Sequence, residues 1–347
     1  MQEDSPKILV VDSGQDCMYG TALKNAFVEC GYRETVLFSW KNKKIVGSST
    51  MSRVQSRLTV GPEVDEVNHE LLLKVKSFQP QLVFLYSCRI VYAKTVRRIK
   101  KFGAKVSVYN NDNPFSDYYP KYFWRHYIAS LKYADITYIY RENNRILAQK
   151  YGAKRVSLLR SYYIGKKNYY TGEERSLNVS RIGFVGHFEA DGRESYIKAL
   201  MDKGITVTLT DAWPKSITEH KNCIVVDRYK ESYNEILNEL DIAIVFLSKL
   251  NQDTYTRRCF EIPATRTMML SEYTDDLASM YSEGKEIVFF RSIQDFLNKA
   301  EYYLDHIDEC RDIGQRGYER LLKDGHEAKD RVQQIMEDYC NLMNLNV

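Results

Sequence analysis

The chain has 347 residues, 44% hydrophobic and 28% charged, a composition that excludes a disordered protein and leaves room for two domains that each bury a core. Seven cysteines lie scattered at 17, 30, 88, 223, 259, 310 and 340, with no Cys-x-x-Cys pair, which excludes a zinc ribbon and argues against a disulfide framework. The net charge of +4 conceals an asymmetry, since residues 1–170 carry 28 Lys+Arg against 14 Asp+Glu and residues 171–347 carry 22 against 32.

A first half this basic has the field of a protein that meets an anionic surface or substrate, and nucleic acid, anionic lipid and a lipid-diphosphate acceptor all fit it. The 27 tyrosines supply large contact surfaces with a polar tip, as suits carbohydrate or a wet interface. The N-terminus, MQEDSPKILVVD, lacks the basic and apolar regions of a secretory signal, and no apolar run is long enough to span a bilayer. The expected location is cytoplasmic, with any membrane contact peripheral.

Short β-branched runs alternate with longer amphipathic segments throughout, the pattern of parallel sheets with crossover helices. The first half predicts strands at Lys7–Asp12, Thr35–Ser39, Gln81–Tyr86, Lys105–Tyr109, Ile136–Tyr140 and Arg155–Leu159. Helices are predicted between them at Thr21–Cys30, Glu63–Ser77, Val91–Phe102, Lys121–Tyr133 and Asn143–Tyr151, while Lys41–Pro62 reads as a long polar loop or hairpin. Lys166–Ser180 lacks apolar periodicity and is the predicted linker. A second series then predicts strands at Arg181–Gly186, Thr206–Thr210, Cys223–Val226, Ile242–Leu247, Met268–Ser271 and Ile287–Phe290. Its helices are expected at Arg193–Lys203, Glu231–Leu240, Thr254–Ala264, Ile293–Leu304, Ile307–Leu322 and Ala328–Leu342. The fold class is therefore α/β, with two open sheets in tandem and ligands expected at the carboxyl ends of their strands. Neither half has a G-x-G-x-x-G fingerprint or a Walker A motif, which argues against dinucleotide dehydrogenases and NTPases.

The densest chemistry lies in Asp253–Leu277, DTYTRRCFEIPATRTMMLSEYTDDL. A helix starting near Thr254 would aim backbone N–H groups at an anion, with Thr256, Arg257 and Arg258 at that end and Glu261 one turn beyond Arg257. Arginines suit a phosphate and a carboxylate suits paired sugar hydroxyls. An amphipathic helix with solvated charges fits the same spacing. The acid pair Asp275-Asp276 reads as the first turn of a helix rather than a metal site, and no metal is expected.

At Arg181–Glu194, RIGFVGHFEADGRE, Gly186 would let a backbone approach a ligand, and His187 and Arg193 stand where they would flank a phosphate. A locally bonded loop histidine and a surface arginine are the alternatives. In the first half, Asn111 and Asp112 follow the strand KVSVY at a carboxyl end, where Asp112 would orient or deprotonate an acceptor hydroxyl. Turn chemistry before Pro114 explains them equally. Tyr118, Trp124 and His126, in an aromatic-basic run, are candidates for an acceptor platform or for one buried helix face, and Gly14 marks a second acceptor-side loop.

The order and spacing of FVGHFEADGRE, TRRCFEIPATRTMMLSEYTDDL, GKEIVFF, YYLDH and RVQQIMEDY resemble the glycosyltransferases of the spore-maturation-protein type. The likeness covers residues 181–340, with weaker echoes at NNDNPF and YADITYIYRENNRILAQKYGAKRV. It implies a GT-B fold, with two Rossmann-like domains facing across a cleft: 1–165 for the acceptor, a linker at 166–180, and 181–325 for the nucleotide sugar. Residues 326–347 would form a helix that returns to the first domain. It further implies transfer of a sugar from a nucleoside diphosphate to an acceptor hydroxyl, in cell-surface polysaccharide or glycoconjugate synthesis, without metal or other cofactor.

In the related Glu-x7-Glu group one carboxylate meets the sugar and the second the ribose. Glu261 matches the second position and Asp253, a shorter acid, the first, so that Asp253 and Asp112 are the catalytic candidates and retention is the expected stereochemistry. His187 stands where an arginine is usual and Arg193 near the expected lysine. The partners implied are a nucleotide sugar and a saccharide or lipid-linked acceptor, with no nucleic acid. An epimerase or hydrolase of nucleotide sugars on the same fold, and a non-catalytic anion-binding module, are the rival readings.

Overall fold

The computed structural model describes residues 5–12, 18–172, 178–210, 212–227 and 232–344. The chain divides into two compact units, one formed by residues 1–160 together with 328–347 and the other by residues 161–327.

The first unit carries a parallel sheet of β1 (Ile8–Asp12), β2 (Thr35–Ser39), β3 (Leu82–Tyr86), β4 (Lys105–Asn110), β5 (Ile136–Ile139) and β6 (Val156–Leu158), in the order β2-β1-β3-β4-β5-β6. Strands β1 and β3 are buried along their whole length, which is why ILVVD and LVFLY read as unbroken apolar runs: helices cover both faces of a parallel sheet. The second unit repeats the plan with β7 (Ile182–Phe184), β8 (Val207–Thr210), β9 (Cys223–Val226), β10 (Ile242–Val245), β11 (Met268–Glu272) and β12 (Val288–Phe290), in the order β12-β11-β10-β7-β8-β9. Each predicted strand is present, displaced by three residues at most, because period and β-branching decide strand existence. Strand order reverses between β7 and β10 in the second sheet and beside β1 and β3 in the first. Loops leaving such neighbours diverge and open a crevice at the carboxyl ends.

Three expectations need correction. The segment 41–62 is not a structureless loop: it contains a 3-10 turn, Lys44–Val46, and a helix, Thr50–Leu58, capped by the Ser49 hydroxyl on the Ser52 N–H. The Ser, Lys and Gly residues of this segment outweigh the few apolar positions of the helix in a sequence reading. The expected linker 166–180 does not begin the second unit, whose boundary falls at residue 161. Tyr169 is built into it, its N–H donating to Asn234 Oδ1 (3.0 Å) and its carbonyl accepting from Asn234 Nδ2 (3.0 Å); residues 173–177 of the linker lie outside the described residues. Finally, Lys121–Tyr133 is helical only over Arg125–Ser130.

The C-terminal helix, Ala328–Asn344, belongs to the first unit and packs on the helix Met18–Glu29. Its buried face is Val332, Ile335, Met336 and Tyr339 at helical spacing, and Gln334 Nε2 donates to the Leu158 carbonyl at 2.8 Å. No helix of the described residues is long and apolar enough to cross a membrane. Ile335 is fully buried, so Ile335→Ala should destabilise the first unit by roughly 2–4 kcal/mol, read as a lower urea midpoint with an unchanged slope.

Candidate functional site

The second unit assembles its candidate site where β7 and β10 part. After Phe184 the chain turns at Val185-Gly186, with the Gly186 N–H donating to Thr210 Oγ1 (3.0 Å) at the end of β8. Into this turn comes Arg258: its Nε donates to the Val185 carbonyl (2.9 Å) and its guanidinium lies 5.0 Å from the centre of the Phe184 ring. A Cβ placed on Gly186 would sit 2.1 Å from Arg258 Nη2. The glycine thus leaves room for the close approach of an arginine, beside its expected role of letting a ligand approach the backbone.

The helix bearing these charges runs from Arg258 to Ala264, four residues later than predicted. Thr254, Tyr255 and Thr256 are diverted by tertiary contacts. Tyr255 is fully buried and its hydroxyl accepts from the Ser161 N–H (3.2 Å). Thr254 Oγ1 donates to Asp276 Oδ2 (2.7 Å) while its carbonyl accepts from Thr274 Oγ1 (2.6 Å). With seven residues the helix has a weak field of its own, so positive charge here comes from the arginine side chains. Arg257 Nε bonds Glu261 Oε1 at 2.6 Å across one turn, both side chains being mostly buried, and its guanidinium lies 5.3 Å from the Tyr162 ring centre. Tyr233 lies against the same group, its phenol pushed well above the ordinary value by burial first and then by the Glu261 charge, against the pull of both arginines. Gly186, Arg257, Arg258 and Glu261 are thus brought together, with Thr256 buried beside them.

Arg193 takes no part. Its side chain is 2% exposed and grips Asp191 with two bonds, Nε to Oδ1 (2.8 Å) and Nη2 to Oδ2 (2.6 Å), while Nη1 donates to the His187 carbonyl (2.8 Å). It fixes the loop that follows β7, and the expectation that it meets a ligand is withdrawn; a bidentate partner two residues away outcompetes a distant anion. His187, by contrast, has an exposed side chain at the rim.

Asp253 lines a recess of about 580 Å3 over the carboxyl ends of β10, β11 and β12, with Tyr196, Lys249, Glu272, Tyr273 and Arg291 in its wall. Its N–H donates to the Ser248 carbonyl at 2.9 Å. Glu272 was not anticipated, although its place at the end of β11 was readable as a strand terminus. It accepts from the Leu247 N–H (2.6 Å), and burial raises its pKa from the ordinary carboxylate value, against that bond and Lys249. The Asp275-Asp276 pair opens the helix Asp275–Met280, capped by Thr274 on the Leu277 N–H (3.1 Å). Among the described residues no group of three His, Cys, Asp or Glu is placed to hold a metal.

In the first unit, Asn111 and Asp112 follow β4. The Asn111 carbonyl accepts from buried Arg141 Nη1 (3.0 Å) and its Oδ1 from Ser87 Oγ (2.7 Å), so this side chain is engaged in holding the loop. Asp112 is half-buried and its charge bears on Arg89. Trp124 and His126 are not a ligand platform. Trp124 is 3% exposed within a ring cluster of Tyr119, Phe123 and Tyr127. His126 Nε2 meets the Thr59 carbonyl at 2.9 Å, and burial lowers its pKa. Both fell to the commoner fate of aromatics at helical spacing, a buried face. Tyr118 remains 58% exposed, and Gly14 lies outside the described residues.

Residues 193–337 match the family model described as glycosyl transferase-like. No curated protein matches the chain in sequence. Among solved structures, sucrose-phosphate synthase from Thermosynechococcus elongatus superposes with a TM-score of 0.72 at 11% identity, covering 97% of this chain and 99% of that one. The α,α-trehalose 6-phosphate synthase of Burkholderia multivorans gives 0.66 at 11% identity over 99% and 100% of the two chains. HepE of Anabaena, in complex with UDP and glucose, gives 0.66 at 10% identity over 97% and 100%. Fold and family model point the same way: the chain has the GT-B fold of these structures, and residues 193–337 resemble the glycosyl transferase-like family. The segment matched by the model includes Arg257, Arg258 and Glu261.

Two measurements test this geometry. Gly186→Ala and Arg258→Ala should be strongly non-additive in urea unfolding, by about 1 kcal/mol or more, because both act on one contact. Glu272 holds its proton more tightly when folded, so its ionisation costs stability as pH rises from the ordinary carboxylate value through the raised one. Glu272→Gln should therefore raise the melting temperature at neutral pH, and the gain should vanish toward acid.

Proposed function

We propose that the second unit binds a nucleoside diphosphate sugar and that the chain moves its hexosyl group to an acceptor hydroxyl seated on the first unit, in cell-surface polysaccharide or glycoconjugate synthesis. The observation that carries this reading is the constellation at the β7–β10 switch point: Glu261 held by Arg257, and Arg258 laid over Gly186. A carboxylate oriented by an arginine is fit to accept from both ribose hydroxyls, and two arginines are fit to take the diphosphate.

In the reaction the bond from the anomeric carbon to the β-phosphate oxygen breaks, and its electron pair leaves with the diphosphate. The acceptor oxygen forms the new bond to that carbon and gives up its proton. Asp112 is the proposed recipient of the proton, and Asp253 the proposed contact to the sugar hydroxyls, with retention at the anomeric centre. Charge growing on the diphosphate is offset by Arg257 and Arg258, as fixed charges aimed at a leaving group are effective catalysts. His187, exposed at the rim, is proposed to complete the anion's surroundings. The kinship with the spore-maturation type and with the Glu-x7-Glu pattern is part of this proposal, as are independence from metal and work at the inner face of a membrane.

Solved neighbours of this chain hold UDP and UDP-glucose, which makes UDP-glucose the first donor to try. Glu261→Ala should weaken UDP-glucose binding by roughly a hundredfold in calorimetry, the loss of two hydrogen bonds to a charged group. An unchanged dissociation constant would remove Glu261 from the site. Incubating donor without acceptor checks the class of reaction: release of UDP at the rate seen with acceptor, or appearance of an epimer, would replace transfer by hydrolysis or epimerisation.

A further inference from the structure

The first unit holds a second basic cavity. Its volume is about 620 Å3, and its lining includes Trp40 after β2, Arg89 and Ile90 after β3, Phe123, and Arg53 and Arg57 of the helix Thr50–Leu58. It therefore opens at the carboxyl side of the sheet, the side on which ligands of such folds bind. Arg89 is anchored from two directions: Nη2 donates to Ser56 Oγ (2.9 Å) and the guanidinium lies 4.5 Å from the Phe123 ring centre. Its Nη1 is buried and has no hydrogen-bond partner. A charged donor left so is costly unless something else supplies the acceptor. Among the described residues no acidic side chain lines the cavity, and Asp112 is the carboxylate whose charge bears on Arg89. Arg53 and Arg57, one turn apart, add two more cations at its mouth.

The helix that carries those arginines is inside out. Ser52 and Gln55 are its buried side chains, at 3% and 6% exposure, whereas Met51, Val54 and Leu58 stand 65%, 45% and 42% exposed. The buried polar face is satisfied: Ser52 Oγ donates to Glu63 Oε1 (2.9 Å) and Gln55 Oε1 accepts from the Glu63 N–H (2.9 Å). Arg125 Nη2 further ties the helix end by donating to the Leu58 carbonyl (2.6 Å). The helix is thus pinned by hydrogen bonds with its apolar row outward, at positions i, i+3 and i+7, beside the arginines. Such an arrangement fits an apolar phase next to an anionic one.

We propose that this cavity seats the phosphate of a lipid-linked acceptor, with Arg89 Nη1, Arg53 and Arg57 on the phosphate oxygens and the hydrocarbon chain against Met51, Val54 and Leu58. The assignment of the ligand as the acceptor rests on the transferase reading, and the binding itself does not. Phosphate oxygens meet the unfilled donor of Arg89 in the geometry that guanidinium groups favour, and the outward apolar row selects a lipid over a soluble ester.

The test uses the full chain and co-sedimentation with phosphatidylcholine vesicles, with and without phosphatidic acid. Binding should be at least about tenfold tighter when phosphatidic acid is present, and Arg89→Gln should remove most of that gain. A diffuse attraction between a basic surface and an anionic bilayer would ignore a recessed arginine, so loss in Arg89→Gln separates the pocket from the surface. Because Arg89 also packs on Phe123, the exposed pair R53Q/R57Q serves as the variant that leaves folding intact, with a loss of about tenfold expected. Met51→Ser/Val54→Ser should weaken vesicle binding and leave the affinity for soluble glycerol phosphate unchanged. Equal binding to neutral vesicles, or no effect of either arginine variant, would overturn the site. Glycerol phosphate binding as tightly as the vesicles would overturn the lipid. UDP-glucose affinity, measured on the same preparation, keeps the two readings apart: intact donor binding with no vesicle binding defeats this inference alone, and the converse defeats only the donor assignment.

Discussion

The parallel pairing of β7 with β10 governs the rest of the second unit. Ile182 and Gly183 register against Ile242 and Ala243, while β8 follows β7 on one flank of the pair and β11 follows β10 on the other. Connections leaving the two strands must diverge, and the space between them is where a guanidinium can lie along a strand end. A Cβ at position 186 would displace Arg258 from this place. Charge, backbone polarity and the reversal of strand order therefore converge on one spot for topological reasons, before any ligand is considered.

Around that spot the protein separates arginines that are spent from arginines that are offered. Arg193 is closed onto Asp191 and His187 in a ring of hydrogen bonds and serves the loop. Arg258 gives one nitrogen of its five-donor fork to the Val185 carbonyl, and Arg257 meets Glu261 through its Nε. In the first unit, fully buried Arg141 holds the Asn111 carbonyl, while Arg89 Nη1 is buried without a hydrogen-bond partner among the described residues. Counting basic residues would not have revealed this division.

The sheets were legible because a parallel strand buried on both faces must be apolar along its length, and runs such as LVFLY have few other readings. The Arg257–Glu261 pair was legible for a similar reason, since a four-residue spacing forces two side chains onto one helix face. What escaped is tertiary. Nothing in RIGFVGHFEADGRE says that Arg193 will turn back to Asp191, or that Tyr255 will be drawn into the core and delay a helix by one turn. Trp124 and His126 show the same blindness from the other side: an aromatic-basic run reads alike whether it faces solvent or Thr59. The helix Thr50–Leu58 was missed although Met51, Val54 and Leu58 recur at helical spacing, because the Ser, Gly and Lys residues around them read as loop.

Residues 328–344 complete the first unit after the chain has passed through the whole of the second. Where the chain enters and leaves that second unit, Tyr163 and Glu327 pair as an isolated parallel bridge, and the Tyr163 N–H donates to the His326 carbonyl at 3.0 Å. During synthesis the helix Met18–Glu29 is made early, yet its partner helix follows the whole second unit. The amino-terminal part must wait, with an apolar flank open to water, until the second unit has left the ribosome.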